Sequence, residues 1–266
     1  MARIKNDLFK FSGSLGGLSF SQDEFGTIVK QKPESNKKIK TSTRSQRSRE
    51  NNVEMGGAST AAKILRVSFL RHDKISSDRY FSGRLNGLMR KTIAMGSGQC
   101  GERKLDLRKN GSMLETFEFI NARPLVYSIG GIKEKPTTNS YRNAIYWTSP
   151  TLDARKHITA PKEATHFTFI LCAASVSNYQ YESTQNKYRP MEPNHFSLST
   201  LAESELITLK QKTIAPRALS LTLTDTVAIP EEVAVVSAVG VRFYRDVNGE
   251  ILVMKDVGAM RILGVV

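Results

Sequence analysis

The spacing of apolar residues changes character twice along the chain. Near the N-terminus, Leu18-Ser19-Phe20-Ser21 alternates apolar with polar, residues 23–26 offer turn chemistry, and Thr27-Ile28-Val29 is β-branched. This pattern predicts two short strands joined as a hairpin, preceded by the glycine-rich stretch Ser12-Gly13-Ser14-Leu15-Gly16-Gly17. A lone hairpin is marginal in water, so it either extends the chain's own sheet or packs on another surface.

Between Ala58 and Ile93 the period becomes three to four. Ala58, Ala61, Ala62, Leu65 and Phe69 mark one helix, and Phe81, Leu85, Leu88, Met89 and Ile93 mark a second. The first stripe is small-sided and lets the second helix approach closely, and the short connector at residues 71–77 predicts an αα-hairpin. Gly56-Gly57 is expected to interrupt or start the regular part of the first helix, and Ser76, Ser77 or Asp78 to cap the second.

From Gly101 onward the period is mainly two. Leu105 and Leu107 lead into Asn110-Gly111, a hairpin signal, with Phe117 and Phe119 on the return. Ile145 and Trp147, residues 167–172, 219–224 and 233–244 continue the pattern, and Asp246-Val247-Asn248-Gly249 joins the last of these to residues 251–254 and a final strand at 260–265. The expected fold class is α+β: an N-terminal hairpin arm and helical hairpin, then a mainly antiparallel β-sandwich or barrel-like body. The expected domains are 1–49 (hairpin and basic arm), 50–98 (helical hairpin), 99–150 (first β segment) and 151–266 (C-terminal β-rich domain). Pro150 and Pro161 mark a boundary between two β subdomains.

Charge sharpens this division. Residues 1–110 hold 23 Lys and Arg against 10 Asp and Glu, a net +13, whereas the remainder holds 16 and 15, a net +1. The densest stretch is residues 30–49, where Lys30, Lys32, Lys37, Lys38, Lys40, Arg44, Arg47 and Arg49 face only Glu34. Such a segment cannot bury itself and is expected to connect or to contact a polyanion or partner surface. It contains no aromatic residue, which disfavours base stacking and favours protein contact. Leu18, Phe20 and Ile28 are the candidate apolar contacts of the arm. Tyr179, Tyr181 and Tyr188 fall in a polar, loop-like region and suit a contact surface.

Candidate chemistry is sparse. Gly96-Ser97-Gly98-Gln99-Cys100-Gly101 matches GxGxxG, but it follows a helix and precedes a strand, the reverse of a dinucleotide fingerprint; a helix-ending glycine and a flexible linker are expected instead. Cys100, beside Arg103 and Lys104, lacks a base at recognisable spacing, and His72, His157, His166 and His195 are scattered. Asp153, Glu163, Glu203, Glu205, Glu231 and Glu232 show no metal-ligand spacing. Two distant cysteines, a polar N-terminus and no apolar run of about 18 residues lead to an expectation of a reducing, cytoplasmic setting or a phage-like particle assembled there, without a membrane span.

The stretch Ser12 to Gly17, of Ser-Gly-x-x-Gly-Gly type, and the basic segment from Lys30 to Arg49 ahead of an Arg-containing helix resemble uncharacterised proteins of the phylum Bacteroidota grouped in domain-of-unknown-function families. The resemblance covers about the first 70 residues and the α-then-β layout, and it implies no catalytic residue. The expectation is a non-catalytic structural or self-assembly protein that uses its basic arm for subunit contacts. It forms a homo-oligomer or larger assembly, with no cofactor, metal or small-molecule substrate. The alternative is a nucleic-acid-associated protein binding phosphates through the arm, with strong salt dependence.

Overall fold

The computed structural model describes residues 2–4, 12–23, 26–32, 43–72, 75–225, 228–255 and 257–266, without the side chains of Ala2, Arg3 and Arg44. The chain divides into two compact units, Met1–Arg49 and Glu50–Val266.

The N-terminal unit is a four-stranded antiparallel sheet of β1 (Ala2–Ile4), β2 (Gly13–Leu15), β3 (Leu18–Asp23) and β4 (Gly26–Gln31), ordered β1-β4-β3-β2. Gly16 and Gly17 join β2 to β3 with φ of 55° and 79°, the two left-handed positions that a tight hairpin turn requires. Pairing of Leu15 with Leu18, Phe20 with Val29 and Ile4 with Thr27 fixes the faces. Because directly paired residues share a face and neighbours alternate, Ile4, Leu15, Leu18, Phe20, Thr27 and Val29 lie on one side, and Ser14, Ser19, Ser21, Ile28 and Lys30 on the other. The sheet is amphipathic.

The second unit contains, in chain order, α1 (Gln46–Leu70, whose first turn belongs to the N-terminal unit), α2 (Phe81–Ala94), α3 (Leu107–Asn110), α4 (Leu125–Ser128), β5 (Thr137–Thr138), β6 (Ala144–Thr148), β7 (Leu152–Asp153), α5 (Ala154–His157), β8 (His166–Ser177), β9 (Tyr179–Glu182), β10 (Lys187–Pro190), β11 (Ser199–Glu203), β12 (Ile207–Thr208), β13 (Thr213–Ile214), β14 (Ala218–Thr222), β15 (Val233–Val247), β16 (Glu250–Val253) and β17 (Ala259–Val265). The centre is a six-stranded antiparallel sheet ordered β11-β8-β15-β16, with β12 also on β8 and β17 also on β15. A smaller sheet, β14-β6-β5, and the pairs β9–β10 and β7–β13 complete the body. The architecture is α+β with a mainly antiparallel β body.

Strict alternation along β8 and β15 makes the body three layers thick. Ile170, Cys172, Ala174 and Val176 of β8, with Ala234, Val236 and Ala238 of β15, join a cluster with Ala58, Leu65 and Phe69 of α1 and Phe81, Met89 and Ile93 of α2. The intervening residues Phe167, Phe169, Leu171, Val235, Val239 and Phe243 pack instead with Ile145, Trp147, Leu152 and Leu221. Both faces of the central strands are thus covered, and every residue of β8 after His166 is buried. Small residues at Ala58, Ala61 and Ala62 seat α1 against the sheet with no exposure above 2%.

Four expectations are corrected. Asn110-Gly111 is not a hairpin turn: the carboxylate of Asp106 accepts from the backbone N–H of Lys109 and caps α3, the chain continues as a 3-10 helix over Gly111–Thr116, and Gly111 has φ of −82°. Its lack of a side chain is needed because a Cβ there would lie 2.8 Å from Val265. Gly56-Gly57 neither starts nor breaks α1, which begins ten residues earlier at Gln46. The cap of α2 is Tyr80, with no side-chain hydrogen bond, because the Asp78 carboxylate is taken up by Arg84 at 2.9 Å and the N–H of Asn121 at 2.8 Å. Finally, Tyr179 and Tyr188 sit in strands β9 and β10, 1% and 9% exposed, as part of the helix-side core. The turn at Asn248-Gly249, φ of 54° and 87°, joins β15 to β16 as its dipeptide predicts.

Candidate interaction surfaces

The described residues expected to make contacts are distributed over four elements, β3, β4, a short 3-10 turn and α1. Lys30 lies on β4 opposite Ser19, and Lys32 follows that strand, its N–H bonded to the Gly17 carbonyl at 2.7 Å. Arg44 falls in a short 3-10 turn, Thr43–Ser45, and Arg47 and Arg49 in the first turn of α1. The segment therefore becomes helical earlier than its composition suggests. Lys37, Lys38 and Lys40 lie outside the described residues. Leu18 and Phe20 share the apolar face of the sheet, whereas Ile28 lies on the opposite face with Lys30, so the structure splits that trio. What alternation within the hairpin could not reveal is the contribution of Ile4 and Leu15, which reach the apolar face through strands of three residues. Leu15 is 77% exposed, Leu18 40% and Ile4 41%. Thr27 at 3% is the buried residue of this sheet among the described side chains.

The glycine motif at residues 96–101 is a structural clasp. Glu54, 3% exposed on α1, accepts from the Gly101 N–H at 2.8 Å and takes the Arg103 guanidinium in a two-pronged pair at 2.7 and 2.6 Å. Arg103 also donates to the Ala94 carbonyl at the end of α2, at 2.9 Å. The Tyr188 hydroxyl donates to the Arg103 carbonyl at 2.8 Å, and burial raises that phenol well above its ordinary pKa. Gly96 is required because a Cβ there would collide with the Lys104 carbonyl, and Gly98 and Gly101 take φ of 116° and 96°. The motif holds α1, α2 and β10 together, and Glu54 and Arg103, 49 residues apart, carried no local sequence signal.

Cys100 lies beside this clasp, its sulfur 3.8 Å from Arg103, while burial drives the Cys172 thiol strongly toward the protonated form. The histidines remain apart: His72 meets Ser199 at 3.1 Å, the Nδ1 of His157 accepts from the Asp153 N–H at 3.0 Å, His166 meets Thr165 at 2.9 Å, and His195 has a buried Nδ1. Glu203 accepts from the Thr168 hydroxyl at 2.6 Å and from the Tyr244 hydroxyl at 2.5 Å, an arrangement that anchors β11 to β8 and β15. Burial and then the Glu203 bond raise the Tyr244 phenol. Among the described residues no cluster of three or more His, Cys, Asp or Glu is placed to hold a metal ion, and no helix is long and apolar enough to cross a membrane.

No protein-family model, curated protein or solved structure matches this chain. Beyond the clasp, the helix side carries a cleft of about 610 Å³ lined by residues that include Leu70, Ile75, Ile170, Arg242, Met254 and Lys255. Its lining mixes apolar side chains with the hydroxyls of Ser76 and Ser77 and the cations of Arg242 and Lys255.

Proposed function

We propose that this chain is a non-catalytic structural protein that self-assembles, with the N-terminal sheet as the joining element and a second copy of the chain as its partner. The observation that carries this reading is the apolar face formed by Ile4, Leu15, Leu18, Phe20 and Val29, three of whose members stand 40% exposed or more. Thr27 on that face is already covered, but Ile4, Leu15 and Leu18 stand open, and two copies meeting there would cover them at once, as the halves of a sandwich. Charge favours a copy over a polyanion at this surface. The residues paired onto the apolar face are Gly13, Gln22, Thr27 and Gln31, none of them charged, so two copies meet without apposing like charges although the chain carries +14. Among the described residues a polyanion would find no cation on that face. Among the described lysines of the arm, Lys30 lies on the other face and Lys32 follows the same strand, and under the proposal the expected role of the basic arm is refined: its apolar side makes the contact.

The test is to substitute both exposed leucines, Leu15→Glu and Leu18→Glu, and compare masses by light scattering. The wild type is expected to be an oligomer and the double variant a monomer with an unchanged circular dichroism melt. Equal masses for the two proteins would refute the proposal.

A further inference from the structure

The helical layer carries a second surface of different chemistry. From Met55 to Met95 the chain has eight Lys and Arg and only two acids, Asp73 and Asp78. Between the end of α1 and the start of α2 runs an open groove of about 700 Å³, and three arginines line it: Arg66, Arg71 and Arg79. Ser77 and Ser82 add hydroxyls to the same wall. Among the described residues of that lining the acid is Asp78, whose Oδ2 accepts from Arg84 and from the Asn121 backbone while its Oδ1 is buried without a hydrogen-bond partner. Burial raises its pKa, but those donors outweigh it and hold the carboxyl below its usual range, keeping it ionised and paired. Arg66 donates one N–H to the Ser82 hydroxyl at 2.9 Å, which orients its guanidinium along the wall.

We infer that this groove is a binding site for phosphate groups, with Arg66, Arg71 and Arg79 as the cationic ligands. Guanidinium groups match phosphate oxygens with two parallel N–H donors, and three of them against the one described carboxylate leave the lining net cationic. Two further features fit. Tyr80, the 59% exposed neighbour of Arg79 in the chain, has that guanidinium 5.0 Å from its ring centre and offers an aromatic surface for a base. The groove also shares Leu70 and Ser77 with the neighbouring 610 Å³ cleft, whose lining includes Arg242 and Lys255, so a longer phosphate chain would meet further cations there. The phosphate comes either from a nucleic-acid backbone or from a compact phosphate compound. The site is distinct from the N-terminal sheet and does not depend on self-assembly.

The test uses the full chain and two probes, a fluorescein-labelled oligothymidylate of about 20 nucleotides read by anisotropy and inorganic pyrophosphate read by calorimetry. Wild type is expected to bind at low salt and to weaken roughly twentyfold for a fourfold rise in salt, the response to about three neutralised phosphates on a single strand. The exposed pair Arg71→Glu and Arg79→Glu should weaken binding by about tenfold or more, and the milder Arg71→Gln and Arg79→Gln pair by about threefold, with circular dichroism confirming the fold. Reversal of Lys30 and Lys32 to Glu serves as the control and should leave the affinity within about threefold. Displacement of the oligonucleotide by pyrophosphate assigns the site to compact phosphates, and oligonucleotide binding that pyrophosphate does not displace assigns it to the backbone; both support a phosphate site. Binding of neither probe, or equal affinity in the arginine variants and the wild type, overturns it.

Discussion

Two carboxylates show how burial and partners decide the behaviour of single residues. Glu54 is tolerated at 3% exposure because Arg103 and the Gly101 N–H satisfy it. Removing it leaves the partly exposed Arg103 guanidinium and the Gly101 N–H without their carboxylate, so Glu54→Ala should cost about 1.5–3 kcal/mol in denaturant unfolding. A loss below about 1 kcal/mol would mean that the clasp is dispensable. Asp78 is ionised and paired, and its folded pKa lies below the ordinary 3.8. Its contribution is therefore complete above that value and is lost as pH falls through the depressed folded pKa. Asp78→Asn should be less stable than wild type by about 1.5–3 kcal/mol at neutral pH, with the gap closing in acid below 3.8. A gap independent of pH would exclude the charge as its cause. Neither partner set was legible in the sequence, since Glu54 meets Arg103 across 49 residues and Asp78 meets Asn121 across 43.

Among the elements, those with strong periods were legible and those defined by one cap or one contact were not. The 3.6-residue stripes located α1 and α2, and alternation located β8, β14, β15 and β17, because burial on defined faces leaves a repeating signal. The segment around Asn110-Gly111 went the other way: Asp106 caps a helix there, and the glycine answers close approach by Val265 instead of a left-handed turn. Adjacent glycines in α1 make the same point testable. A Cβ at Gly57 would lie 2.5 Å from the Tyr188 ring, which is held by its hydroxyl, whereas Gly56 has open space around it. Gly57→Ala should destabilise by about 1–3 kcal/mol through overpacking, and Gly56→Ala should stabilise by up to about 1 kcal/mol through helix propensity. Thermal melts of the two variants moving in the same direction would contradict the packing assigned to Tyr188.

For the whole molecule, the division of charge was visible in composition, but its meaning depended on register. Leu18 and Phe20 could be paired by alternation, while the assignment of Ile28 to the other face and the recruitment of Ile4 and Leu15 required the pairing of four strands. The result separates two surfaces that a basic N-terminal half had merged: an uncharged apolar face on the N-terminal sheet and an arginine-lined groove on the helical layer. Self-assembly is assigned to the first and phosphate binding to the second. The most direct measurement of the assembly claim is the native mass of the purified full chain at physiological salt. The account predicts a mass of at least twice the 29.6 kDa protomer, persisting when salt is raised because the contact is apolar. A single species at 29.6 kDa across the micromolar range would contradict it.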